Sequence, residues 1–158
     1  MHMLLKVCRT VAFLLVASAA PAWAIGPSFD CNSVRTPPAQ IICSSPDLSR
    51  TDLEFVQAYY ALRQQVGPAG WQALKMEAIA FGDQAPRQCG IPLFGPALPS
   101  NSTLVACLQQ AYERQRDAWR ARLTGPAAEE ASRSIEEHVA LQRDLQALGF
   151  LPSTEKIG

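Results

Sequence analysis

Histidine is nearly missing from this sequence. There are two, and His2 belongs to the opening segment, so His138 stands alone in the remainder. A Ser-His-Asp or Cys-His arrangement would have to be built on that residue, yet it lies outside the cysteine-bearing part of the chain. We read His138 as a solvated or half-buried helix residue. No C-x-x-C pair, H-E-x-x-H or glycine-rich phosphate loop occurs, so nothing of zinc-ribbon, zincin or nucleotide-cradling chemistry is indicated. No catalytic residue, metal or cofactor is expected. An excess of positive charge is also missing, since 14 Lys+Arg balance 14 Asp+Glu, and nucleic-acid binding needs a basic face. No run of like charge marks a disordered tail. The apolar run from Val11 to Ala20 is shorter than the roughly 20 residues of a membrane span, so no transmembrane anchor is expected. Beyond residue 24, the period-two alternation of a strand is absent.

The opening residues do carry a signal. Lys6 and Arg9 supply a basic start, "VAFLLVASAA" an apolar centre, and Ala22-Trp23-Ala24 a small-x-small end. Residues 1–24 therefore read as a secretory signal peptide cleaved after Ala24. Cys8 precedes the apolar run and no cysteine follows it at a lipoprotein-type position, so no lipid anchor is expected. A periplasmic or secreted destination follows. Four cysteines remain, Cys31, Cys43, Cys89 and Cys107, an even number suited to an oxidising compartment. Four cysteines allow three pairings. We favour Cys31–Cys43 and Cys89–Cys107, because each closes a short loop flanking a helix, and each would contribute roughly 2–4 kcal/mol.

Ser45-Pro46-Asp47 is a helix start: a capping serine, a proline suited to the first turn and an early acid. Phe55, Tyr59, Leu62 and Val66, widened by Leu53, Val56 and Tyr60, repeat at helical spacing until Gly67-Pro68. A second helix is expected from Ala69 to Gln84, with Trp71, Leu74, Ala78 and Phe81 on one side and Pro86 as its limit. "GIPLFGPALPSN", residues 90–101, excludes regular structure and reads as an ordered surface loop tied at its ends by the second cystine. A third helix opens near Ser102-Thr103, carries Leu104, Leu108, Ala111, Gln115, Trp119 and Leu123 on one face, and stops at Gly125-Pro126. Residues 126–134 read as a linker. A short final helix follows, with Ile135, Val139, Leu141, Leu145 and Leu148 apolar and Gly149 after its last turn. The expected fold is all-α: a disulfide-stapled helical hairpin or three-helix bundle over residues 25–125, with a short appended C-terminal helix.

Asp47, Asp52, Glu54, Glu77 and Asp83 mostly fall off the apolar stripes and read as solvated helix surface. So do Arg114, Arg116, Arg120 and Arg122, which are placed to pair with acids of a neighbouring helix. Tyr59, Tyr60, Trp71 and Trp119 read as core.

The ordered pattern resembles a known family. Phe29-Asp30-Cys31, Thr36-Pro37, Ile42-Cys43, Ser45-Pro46-Asp47-Leu48, Asp52 and Ala58-Tyr59 resemble the amino-terminal half of LprI-type bacterial lysozyme inhibitors. Cys89-Gly90, Cys107-Leu108 and Tyr112 resemble that family's second cysteine pair and the helix after it. The resemblance covers about residues 28–124. It implies an exported protein that binds lysozyme and blocks its activity without catalysis. Because lysozymes of the host-defence type are basic, the local acids Asp47, Asp52 and Glu54 are the expected partner-binding patch. The tail, "HVALQRDLQALGFLPS", resembles the first helix and turn of a peptidoglycan-binding module, which makes 135–158 a partial segment of that kind. Peptidoglycan is the alternative partner, in a structural or adaptor role at the cell envelope.

Overall fold

The computed structural model describes residues 26–99 and 101–152. The expected signal peptide lies outside them. The described residues form five helices and no strand: α1 (Pro37–Cys43), α2 (Pro46–Gln88), α3 (Ser102–Arg120), α4 (Gly125–Ser132) and α5 (Ile135–Ala147).

Helix α2 begins as its sequence requires. The Ser45 side chain accepts from the Leu48 N–H at 3.3 Å, Pro46 opens the first turn and Asp47 sits at the positive end. Its halves meet at Gly67, whose backbone (φ 61°, ψ −167°) is non-helical. That region is essentially closed to residues with a Cβ. Gly70 is required for a second reason, because a Cβ there would lie 2.6 Å from Val66 Cβ. The break at Gly67-Pro68 is thus a sharp bend between two half-helices. Gly67→Ala is expected to cost about 1–3 kcal/mol in urea unfolding; a loss below 0.5 kcal/mol would show that the bend does not depend on glycine.

Two core clusters reveal the course of the chain. Leu48 and Ala85, from opposite ends of α2, share one cluster with Ile41, Ile42, Ile91, Leu108 and Ala111. Leu62 and Leu74, from either side of the bend, share the other with Ala58, Trp119, Leu123 and Ala131. The first half of α2 therefore runs from the first cluster to the second, the other half returns, and α3 runs out again. The body is an up-down-up three-helix bundle. Phe55 joins all three helices at its middle, with ring centroids 5.0 Å from Phe81, 4.9 Å from Tyr112 and 4.7 Å from Trp119.

Both expected disulfides are present. Cys31–Cys43 secures α1 beside the start of α2, where Ser49 Oγ donates to the Ile42 carbonyl at 2.9 Å. Cys89–Cys107 joins the end of α2 to α3. Asn101 caps α3 through Oδ1, which accepts from the Leu104 N–H at 2.9 Å.

Three sequence readings are corrected. Pro86 does not end α2, which continues to Gln88; the Pro86 carbonyl instead accepts from Cys89 N–H and Ile91 N–H at 3.0 and 2.8 Å. Helix α3 stops at Arg120, and Gly125-Pro126 opens α4, so most of the supposed linker is helical. Helix α1 was not expected at all. Gln57 and Gln65 hold the later segments to α2: Gln57 Nε2 donates to the Glu130 and Arg133 carbonyls, both at 3.3 Å, while Gln65 spans the α3–α4 turn through Arg122 and Thr124. Helix α5 has a Ser134–Glu137 capping box, buries Ile135 and Val139, and ends before Gly149 (φ 79°), as expected.

Candidate binding site

The fold disperses the expected acidic patch. Asp47 is exposed. Asp52, one turn further, is only 4% exposed, and its Oδ2 accepts from the Ser28 N–H at 2.8 Å. Glu54 forms an ion pair with Arg116 of α3. Of the three, Asp47 alone offers its charge freely to solvent; Asp52 anchors the segment ahead of α1 and Glu54 ties two helices together.

Burial raises the Asp52 carboxyl above its ordinary pKa, and the Ser28 hydrogen bonds offset only part of that rise. Burial, then the Asp52 charge, pushes the Tyr112 phenol up. A raised carboxyl means that the folded chain holds this proton more tightly than the unfolded chain does. Its contribution to stability is then greatest at low pH and is lost as pH rises from the unfolded value into the raised folded one. Asp52→Asn keeps an acceptor for Ser28 and removes the buried charge. It is expected to match or exceed the parent at pH 7, by up to ~1 kcal/mol, with the advantage gone at pH 3. Thermal melts at both pH values check this, and a variant melting well below the parent at pH 7 would contradict it.

Glu77 shows the opposite balance. Burial favours its neutral form, but hydrogen bonds from Arg122 (2.8 Å), Trp119 Nε1 (2.6 Å) and Gln115 (2.9 Å) prevail and hold its pKa below the ordinary value. Its stabilisation is present above the unfolded pKa and is lost as pH falls through the folded one. The arginines on and just after α3 are therefore partly structural: Arg116 and Arg122 bind Glu54 and Glu77, and Arg114 remains exposed. His138 is half-buried, with Gln57 Nε2 against its Nε2 and Glu130 Oε1 3.4 Å from its Nδ1. Among the described residues no group of three His, Cys, Asp or Glu side chains is placed to hold a metal ion, and no helix is long and apolar enough to cross a membrane.

Two surfaces stand out. The first is the loop after α2, which has no regular structure over residues 91–99. Cys89–Cys107 fastens its ends, with Cα atoms 5.7 Å apart, and Ile91 and Leu98 root it in the core. Between these roots Phe94 is 81% exposed. A large ring held out by a fastened loop is suited to insertion into a partner. Its sequence signal was legible as an ordered loop, but the rooting of Ile91 and Leu98 was not.

The second is a cleft at the α2 bend, lined by Tyr60, Arg63, Gln64, Gly67, Pro68 and Trp71. Trp119 and the half-buried Tyr59 pack in the core as expected. Tyr60 and Trp71 do not: Tyr60 is 52% exposed, and Trp71 lines this cleft. Both lie near the bend, where the two half-helices turn back. Arg63, Gln64 and Lys75 carried no sequence signal beyond helical spacing. In comparisons with known proteins, this chain matches no family model, no curated protein and no solved structure.

Proposed function

We propose that the protein is an exported lysozyme inhibitor, which docks on lysozyme and blocks its cleft without performing chemistry. The observation that carries the reading is the clasped loop, with Phe94 presented to solvent between the buried Ile91 and the half-buried Leu98. Rigid presentation reduces the ordering cost of association, and buried aromatic anchors dominate the energetics of many interfaces. The four-cysteine pattern shared with LprI-type inhibitors supports the same assignment, as does the basic-apolar-small leader, which fits the periplasm or the exterior as the place of action. Dispersal of the acidic residues shifts the proposed contact from charge to this apolar tip.

Calorimetric titration of lysozyme with the protein is expected to show one-to-one binding. Phe94→Ala should weaken it at least tenfold, about 1.4 kcal/mol or more, without altering helical content. Absence of binding by the parent protein would overturn the proposal, and undiminished binding by Phe94→Ala would remove the loop from it.

Peptidoglycan binding through the tail is a second reading, favoured by the exposed Leu141, Leu148 and Phe150 on and after α5. Retention on insoluble peptidoglycan that disappears when Leu148 and Phe150 are replaced by serine would support it.

A further inference from the structure

The cleft at the α2 bend gathers positive charge and aromatic rings. Its volume is about 470 Å³ and no carboxylate lines it. The Arg63 guanidinium carbon lies 5.1 Å from the Trp71 ring centroid and 5.9 Å from that of Tyr60, and Lys75 Nζ lies 5.3 Å from Trp71. Neither cation has an acidic partner among the described residues. The Trp71 indole N–H is buried and has no acceptor, an unusual condition for a buried polar group. The second half of α2 begins here, at Pro68, so its positive dipole end adds to the same potential.

Arg63 is held near both rings and is exposed, and a guanidinium can receive a carboxylate through two parallel hydrogen bonds. Beside it, the exposed Tyr60 ring offers a flat apolar surface and Gln64 a side-chain amide. A saccharide matches that combination, with C–H faces to lie on the ring and hydroxyl and carbonyl oxygens to accept from the amide. The volume suits one or two sugar units. We propose that this cleft binds a carboxylate-bearing sugar of a glycan strand, with Arg63 in the cleft lining holding the carboxylate and Lys75, close to the Trp71 ring, adding positive charge beside it. The site shares no lining residue with the Phe94 loop. Two unpaired cations also suit an acidic glycan better than a basic lysozyme.

The test is a titration of the purified protein with a soluble glycan fragment containing N-acetylmuramic acid. Parallel titrations use a neutral chito-oligosaccharide of equal length and a glutamate-rich peptide. Calorimetry reads affinity and tryptophan emission reads the site, since Trp119 is fully buried and Trp71 lines the cleft. The acidic fragment is expected to bind at least tenfold more tightly than the neutral one and to change Trp71 emission. Arg63→Gln with Lys75→Gln should weaken it about tenfold or more, while Leu148→Ser with Phe150→Ser leaves it unchanged. Arg63 and Lys75 are exposed, so unaltered helical content in the double variant is the folding control. No binding, equal binding of the neutral fragment, tighter binding of the peptide, or insensitivity to the double variant would each overturn the proposal. Lysozyme binding that survives the same double variant separates this site from the inhibitory one.

Discussion

Trp119→Ala is expected to destabilise the protein by about 3–5 kcal/mol, the usual range for emptying a large aromatic site in a core. Trp119 is fully buried in the second cluster. Its ring meets Phe55 and Tyr59 at centroid distances of 4.7 and 5.5 Å, and its indole N–H donates to Glu77. Removing it therefore opens a cavity where both halves of α2 meet α3, and takes one of three donors from a carboxylate that depends on them. Trp119→Phe separates the contributions: it keeps most of the ring packing and loses the donor, and should cost about 1–2 kcal/mol. Urea unfolding followed by circular dichroism checks both. A cost below 1 kcal/mol for the alanine variant would mean that the bundle is not assembled around this residue.

Replacing Cys89 and Cys107 together by serine is expected to cost roughly 3 kcal/mol, the chain-entropy value for a loop of this size; the cysteines are 18 positions apart. The consequence should exceed the change in melting temperature. Without the clasp, the loop keeps Ile91 and Leu98 in the core but loses the covalent closure that positions Phe94 between them. Affinity for lysozyme should fall along with stability, and hydrogen exchange over residues 90–101 should accelerate more than in α3. Unchanged exchange in the loop would show that the packing of Ile91 and Leu98 suffices to order it.

The bundle was readable because its determinants are local. Ser45-Pro46-Asp47 caps and starts α2, Asn101 caps α3, Gly149 ends α5, and the stripe through Leu108, Ala111 and Trp119 has a clean helical period. Short cysteine separations, together with the expectation of a leader, led to the observed pairing. What escaped detection has a different physical character. Helix α1 has seven residues, too few to display a period, although Pro37-Pro38 follows the preference for proline in a first turn. Helix α4 buries Ala131 and packs through Ala127 and Ala128; alanines give a weak hydrophobic signal yet permit close approach. Pro86 was read as a barrier, but near the end of a helix it sacrifices one hydrogen bond and its carbonyl helps to cap. The burial of Asp52 and the pairing of Glu54 have a long-range cause. Asp52 is buried under Ser28, 24 positions away, and Glu54 meets Arg116, 62 positions away, and neither separation leaves a trace in local pattern. The bend cleft was hidden for the same reason, since Tyr60, Arg63, Trp71 and Lys75 converge only once α2 folds back.

Taken together, these elements describe a stapled bundle in which two cystines and a central aromatic group leave one loop fastened and exposed. Lysozyme turnover on bacterial cell walls, titrated with purified protein, is the most direct test of that account. It predicts inhibition approaching completion near one equivalent, with the titration curve displaced to higher protein concentration by Phe94→Ala. Undiminished lysis at a large molar excess of the parent protein would contradict it.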